Sequence, residues 1–417
     1  MLHGKMNVDW QQRLDFAKLR KDRVERANKM LHKYGIGAAV LYDWDSMRYV
    51  SSTFNHPYSR HHPVHFTFLV RDAGFPYVHA TKGLDEIRMK EDYPWLEGRI
   101  LADEELLQPV PQRLRPDAES VKKWGRTAQQ IKSLLKQHNV AELPVSMDYA
   151  SPFFVKALQD AGIKVVDGNA WMQEARMIKT EAEIELLAHA ASCNEAGYAA
   201  LLHELRPGMN ENEARGIMSK AILAAGADYI EGWVTNSGPR GAPRSYNWSD
   251  RTIRPGELFT IEACHVTFCG YKVCYDRTFV MNTKPTEIQR EIYQVAVDMQ
   301  HRAAEFLRPG LTTHEVVKIR PFPKPTFHTM DDIRKFRSSW AGWSNHFGGM
   351  GMAHDEAPYC TLEEPPITLE KNMVIAYHTT LWGDKDGVAI ENTFRLTDNG
   401  CENLCKWPFE EMLVAGF

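Results

Sequence analysis

Apolar and polar positions follow two different periods along this chain. Residues 11–35 carry charges between apolar positions at helical spacing and read as an amphipathic helix ending near Tyr34-Gly35. Ala38 to Tyr42 is a short apolar run, a buried strand, and Phe66 to Val70 is another. Residues 129–137 are a helical stretch, and Val145-Ser-Met-Asp148 and Ile163-Lys-Val-Val-Asp167 are further short strands. Strands alternating with helices predict an α/β domain with a largely covered sheet, ending near Trp171.

A long helix follows. Thr180-Glu-Ala-Glu183 has the form of a capping box, and Ile184, Leu187, Ala188 and Ala191 supply the apolar stripe. It stops at Leu205-Arg-Pro-Gly208, and Glu211 opens a second helix that ends at Gly226. The pattern returns about a hundred residues later. Thr286-Glu-Ile-Gln289 caps a helix that stops at Leu307-Arg-Pro-Gly310, and Thr312 opens the next. Such a duplication predicts two similar halves facing a shared cleft. A third Arg-Pro-Gly, Arg254 to Gly256, launches a hairpin from Ile261 to Phe279, with its connection at Cys269-Gly270. Alternation puts Glu262 with Cys264 on one face of its first strand, and Cys274 with Asp276 on one face of the second. Pro321 to Pro325 reads as an insertion or loop, and Trp343 to Pro358 as a Gly-rich loop with two histidines and two acids. Lys371 to His378 is a strand whose inward face is Val374, Ala376 and His378. Val388 to Leu396 is the last long strand, carrying Glu391.

Composition narrows the class. A chain of 417 residues with 43% hydrophobic residues, 25% charged residues and a net charge of −4 has no nucleic-acid footprint. The polar start, Met1-Leu-His-Gly-Lys, shows no signal peptide, and no run reaches the ~18 apolar residues of a membrane helix. Seven cysteines, an odd number, point to a reducing, cytoplasmic setting with thiols free for packing or ligation.

In this order these stretches resemble the pita-bread family of methionine aminopeptidase, Xaa-Pro peptidases and creatinase, with the dimethylsulfoniopropionate lyase branch as the nearest look. The supporting stretches are Tyr42-Asp43 through Arg48-Tyr49, Ser237-Gly-Pro-Arg240, Arg254-Pro-Gly-Glu257, Met352 to Pro358, Arg277-Thr-Phe279, Ile390-Glu391 and Asn399 to Leu404. The resemblance implies an α+β protein. Residues 1–172 would form a creatinase-like N-terminal α/β domain. Residues 173–417 would form a pita-bread catalytic domain, with duplicated αβ halves around a curved antiparallel sheet. A homodimer is implied too, in which His56, His61 and His62 could reach a partner's pocket.

The family's metal ligands are changed here. By resemblance the first peptidase aspartate falls on Ala263, or on Glu262 in the lyase register, where a further aspartate falls on Cys264. The second falls on Cys274, the histidine on His346 with His354 competing, the first glutamate on His378, and the second is kept as Glu391. A two-ion peptidase centre is therefore not expected. One expectation is a single divalent ion, Zn²⁺ or Fe²⁺, on Cys274, His346, His378 and Glu391 with Glu262. The other is a metal-free site of the creatinase kind. Creatinase's acidic guanidinium anchor falls on Asp276, and its catalytic histidine on Ser245. Asp355, Glu356 and His354 are the candidate acids and bases beside it. Arg240 is a candidate for holding a substrate carboxylate. Trp233, Trp382 and Tyr377 are candidate aromatic walls for a methylated cation. Together these predict an enzyme that cleaves a C–S or C–N bond, as lyase or hydrolase, in a small carboxylate or zwitterion, with no nucleic-acid or membrane partner. The alternatives are a one-metal Xaa-Pro-type peptidase and a non-catalytic binding protein.

Overall fold

A computed structural model describes residues 14–54, 65–103, 118–148, 152–318, 342–352, 356–383 and 385–416. His56, His61, His62, His354, Asp355 and the Pro321–Pro325 segment lie outside these. The described residues divide into two compact units, one spanning 14–176 and one running from 177 onward.

In the first unit the strands are β1 (Ala38–Leu41), β2 (Thr67–Val70), β3 (Tyr77–Thr81), β4 (Ile100–Asp103), β5 (Val145–Met147) and β6 (Val165–Asp167). They form one sheet in the order β4-β3-β2-β1-β5-β6. Its helices are α1 (Phe16–Lys33), α2 (Trp44–Ser51), α3 (Leu84–Asp92), α4 (Ala118–Gln137), α5 (Pro152–Asp160) and α6 (Asn169–Met177). The pairings mix parallel β1–β5 and β5–β6 with antiparallel β1–β2 and β2–β3. β1 and β2 are buried at every position, as unbroken apolar runs require. α4 covers them with Trp124, Ala128, Ile131 and Leu135.

The second unit holds α7 (Glu181–Glu204), α8 (Glu211–Ala224), α9 (Glu287–Phe306) and α10 (Thr313–Lys318). Its strands are β7 (Tyr229–Ser237), β8 (Leu258–Phe268), β9 (Tyr271–Val273), β10 (Asp276–Met281), β11 (Gly342–Gly349), β12 (Val374–Trp382), β13 (Gly387–Leu396), β14 (Cys401–Asn403) and β15 (Leu413–Ala415). The main path of the sheet runs β11-β12-β13-β10-β8-β7, antiparallel throughout.

The two capping boxes form: Thr180 Oγ1 accepts from the Glu183 amide while the Glu183 carboxylate accepts from the Thr180 amide, and Thr286 and Gln289 do the same. A third box, Asn210 with Glu213, starts α8. The repeated Arg-Pro-Gly is a turn that needs glycine, because Gly208, Gly256 and Gly310 take φ of +94°, +78° and +91°. The halves reuse the same backbone bonds. Gly208 N donates to Ile253 O and Gly310 N to Leu369 O, both at 2.9 Å, and bridges Asn210–Thr252 and Thr312–Thr368 follow.

Two readings are corrected. The Gly-rich segment from 343 is not a loop at its start: Gly342–Gly349 is the edge strand β11, paired with β12 over its whole length. Glycine is needed there, since a Cβ on Gly349 would lie 2.2 Å from the Glu356 carbonyl oxygen. The second arm of the hairpin is also interrupted, between β9 and β10. The carbonyls of Cys274 and Tyr275 leave the ladder to accept from Thr393 Oγ1 (3.0 Å) and Tyr198 Oη (2.7 Å).

Candidate active site

Strand register gathers the polar residues. Cα partners across the sheet are His346 with His378, His378 with Glu391, Glu391 with Asp276, and Asp276 with Glu262. Five adjacent strands thus contribute one residue each to a single transverse row. Directly opposed residues share a face, so His378, Glu391, Asp276 and Glu262 point to the same side. The opposite face of β12 and β13 carries Ile375, Tyr377, Val388 and Ile390 in the apolar core with α9. Asp276, Glu262 and Glu391 are buried.

A buried row of acids needs positive charge or protons. Arg244 supplies the charge. Its Nη2 lies 2.5 Å from Glu262 Oε2 and 2.7 Å from Asp276 Oδ2. Its Nη1 contacts His378 Nε2. A guanidinium can only donate, so Nε2 must accept, which leaves the imidazole proton on Nδ1. His378 Nε2 also lies 3.3 Å from Asp276 Oδ2. Below, Cys274 Sγ donates to Glu262 Oε1 at 2.9 Å.

The loop between β7 and β8 presents Arg244, and it is anchored on both sides. Buried Glu211 accepts from Ser237 N and Oγ (2.8 Å each) and from Ser249 Oγ (2.7 Å). Arg240 donates to Asn247 O at 3.1 Å. Gly241 packs so closely on the start of β13 that a Cβ on Gly387 would lie 1.8 Å from the Gly241 carbonyl oxygen.

These contacts split the acids. Burial alone would raise Glu262. The charge of Arg244, with hydrogen bonds from Cys274 and Cys264, outweighs it and lowers Glu262 to about 2. Glu391 goes the other way: burial pushes it well above the ordinary carboxylate range, and the Glu262 charge adds to that. The proton affinities of the pair are thus driven apart, Glu262 toward the anion and Glu391 toward the protonated acid. Cys274 and Cys264 are both raised, first by burial and then by Glu262, and stay thiols. Arg244 is raised because Asp276 and Glu262 outweigh its burial.

The remaining predicted residues fall as follows. His346 takes its register position at the end of the row. Glu356 is fully buried in an ion pair with Lys179 Nζ at 2.6 Å. Tyr377 belongs to the core on the helix side of the sheet, so the expectation that it lines a substrate pocket is corrected by strand alternation. Trp382 is half-buried with its Nε1 unbonded, and the Trp233 ring lies under the Arg215 guanidinium at 5.6 Å. Arg240 pairs with Glu211 at 3.3 Å, so its charge is already matched. Sequence reasoning missed Arg244. The signal available was its place two residues from Gly-Ala in Gly241-Ala-Pro-Arg244, a turn beside the aligned Ser245.

Glu262, His378 and Glu391 each offer a donor atom within 4.8 Å of the others, a grouping that can hold one metal ion. Glu391 Oε2 is buried without a hydrogen-bond partner, which fits a missing ligand for that oxygen. Two carboxylates and an imidazole suit Zn²⁺, or Fe²⁺.

The family model described as metallopeptidase family M24 matches residues 185–398. A Xaa-Pro dipeptidase of Pyrococcus furiosus is 28% identical over 242 residues, 56% of this chain and 65% of that protein. The dimethylsulfoniopropionate lyase DddP of Roseovarius nubinhibens is 22% identical over 302 residues, 69% of this chain and again 65% of the relative. The chain thus spans just under two thirds of the length of these curated relatives. Among solved structures, a Xaa-Pro dipeptidase from Bacillus anthracis superposes with a TM-score of 0.72 at 20% identity, covering 95% of this chain and 99% of that one. That likeness is one of fold.

Proposed function

This chain belongs to metallopeptidase family M24, and from that premise we propose that it is not a peptidase but a small-molecule enzyme of the family. It would cleave a C–S or C–N bond, as lyase or hydrolase, in a small carboxylate or zwitterion. The observation that carries this reading is the buried contact of Arg244 with Glu262 and Asp276. A two-ion peptidase centre needs bridging carboxylates. Here a thiol stands at Cys274, an imidazole at His378, and a side-chain cation sits among the acids that remain.

The residues support proton chemistry directly. With no ion bound, burial and the Glu262 charge favour the protonated form of Glu391, which could then give its proton to a leaving group; with an ion bound it serves as a ligand instead. Glu262 is ionised beside it, and two carboxylates with proton affinities driven apart divide acid and base roles between them. Asp276 orients Arg244, which in turn donates to His378. Glu262, His378 and Glu391 would hold a single divalent ion, with the Cys274 thiol alongside. Such an ion, when bound, supplies Lewis-acid polarisation of a substrate oxygen. The proposed catalytic domain is 173–417, with 1–172 as the N-terminal domain. A cytoplasmic setting is supported by seven cysteines, none of them in a disulfide, and a homodimer by the family resemblance alone.

The second reading is a one-metal Xaa-Pro-type peptidase. It is favoured by the Glu262–His378–Glu391 grouping and by the dipeptidase names among the relatives. The two separate in one experiment. Purified protein, with and without Zn²⁺ or Fe²⁺, is offered Xaa-Pro dipeptides on one side and sulfonium, betaine and guanidino acids on the other, with products read by NMR. Turnover of a small acid and none of the dipeptides is the expected result. Dipeptide hydrolysis abolished by His378→Ala would replace the first reading with the second.

A further inference from the structure

The cation position in the row is already taken by the chain itself. Arg244 Nη2 bridges Glu262 and Asp276 at 2.5 and 2.7 Å, and Nη1 meets His378 Nε2. Glu262 and His378 are also two of the three donors that converge for a metal ion. A lone pair of His378 Nε2 that accepts from the guanidinium is not available to an ion. Glu262 Oε2 is likewise engaged, and Glu262 Oε1 accepts from Cys274. The guanidinium and an ion on these donors would also place two cations within a few ångströms, in a buried site.

We propose that Arg244 is an internal competitor for the metal position: a divalent ion enters the Glu262–His378–Glu391 site only by expelling the guanidinium from it. The inference rests on the row as a cation site, and not on which reaction the enzyme performs. Arg244 has somewhere to go. It ends a turn closed by the Gly241–Arg244 bridge, and the largely exposed ring of Tyr246 lies 5.9 Å from its guanidinium carbon. In the metal-free protein Arg244 keeps Glu262 and Asp276 paired. With an ion on Glu262 and His378, the guanidinium is released toward the loop, where its charge becomes available to an anionic group. Metal binding and the release of a cation are then one event.

The test uses metal affinity, read separately from activity. Zn²⁺ binding to the chelator-treated full chain is measured by competition with a chromophoric chelator, for the wild type, Arg244→Gln and Arg244→Lys. Arg244→Gln removes the competitor and is expected to bind Zn²⁺ at least about tenfold more tightly, whereas Arg244→Lys, which keeps the charge, stays within about threefold of the wild type. Equal or weaker binding by Arg244→Gln, or no binding by either, overturns the inference. A second measurement needs no variant. Phenylglyoxal labelling of the wild type, mapped by mass spectrometry, is expected to be slow at Arg244 in the metal-free chain and to rise several-fold at saturating Zn²⁺. Labelling unchanged or reduced by Zn²⁺ overturns it as well. Neither result depends on a substrate, so loss of the proposed reaction would leave this test standing.

Discussion

Cys274 Sγ donates to Glu262 Oε1 at 2.9 Å, across the break that separates β9 from β10. A thiol, held protonated by burial and by Glu262, sits there without adding charge to the row. With Glu262 ionised and Arg244 its buried counter-ion, each further anion must bring its own cation. This sets what the row tolerates, and the first prediction tests it.

Replacing Cys274 by Asp puts a second carboxylate against Glu262. The metal-free protein is expected to lose stability, on the order of 3 kcal/mol, from an uncompensated buried charge. Saturating Zn²⁺ or Mn²⁺ should restore more stability to Cys274→Asp than it adds to the wild type. Cys274→Ser, which keeps a donor to Glu262, should change little. Chemical denaturation with chelator and with metal measures all three, and a Cys274→Asp protein as stable as wild type in chelator would remove the argument.

Glu391 gives a pH prediction with a definite sign. Its folded-state pKa lies well above the ordinary glutamate value of 4.5, so the folded protein keeps a proton that the unfolded chain releases. Folding therefore takes up a proton above pH 4.5, and this contribution to stability falls as pH rises from the unfolded value toward the folded one. Glu391→Gln cannot titrate. In chelator, its stability relative to wild type should rise with pH above 4.5, by up to about 1.4 kcal/mol per pH unit. A difference that stays flat between pH 5 and 8 would show that Glu391 is ionised in the folded state.

Much of this was legible before any coordinates. The caps at Thr180 and Thr286 and the repeated Arg-Pro-Gly are local signals, carried by residues a few positions apart, and they fixed the duplicated halves. Alternation put Cys274 with Asp276 on one face and His378 on an inward face, because a strand's period is two. The row itself was only partly legible, since register depends on which strands pair. Arg244 was not legible at all. A single arginine in a turn has no period, and its meaning comes from acids on three strands that approach it only in the folded chain. Lys179, just before a capping box, carries no local signal of its burial either, and it is 1% exposed.

That lysine supports a third prediction. Lys179 Nζ and Glu356 Oε1 lie 2.6 Å apart, both buried, and Gly351 packs over them so closely that a Cβ there would lie 1.7 Å from Glu356 Oε1. Removing one partner leaves the other charge buried, so Lys179→Met and Glu356→Gln should each cost about 3–5 kcal/mol. The double variant should recover most of the loss, because both charges go together. If Glu356→Gln left stability untouched while removing activity, Glu356 would act in the chemistry and not as the partner of Lys179.

The last prediction concerns Arg277, which holds the row from behind. Its side chain is buried and donates to four oxygens: Nη1 to Glu391 O at 2.7 Å and to Asp276 O at 2.8 Å, Nη2 to Asn392 Oδ1 at 2.8 Å and to Trp407 O at 2.9 Å. Two of these are the backbone carbonyls of residues in the row. One rigid fork thus sets the spacing of β10 and β13 at the level of Asp276 and Glu391. Its face lies over the Tyr275 ring at 4.3 Å, which fixes the plane of the fork. A lysine keeps the charge but has one nitrogen, and cannot serve both strands and Trp407 at once. Arg277→Lys should therefore lose about 2–4 kcal/mol. Amide exchange should rise first around residues 276–278 and 390–393, before the outer strands. A purely electrostatic role would leave Arg277→Lys close to wild type in both measurements. Loss of the fork predicts instead that zinc affinity falls along with stability, because the Cα pairing of Glu391 with Asp276 would no longer be held.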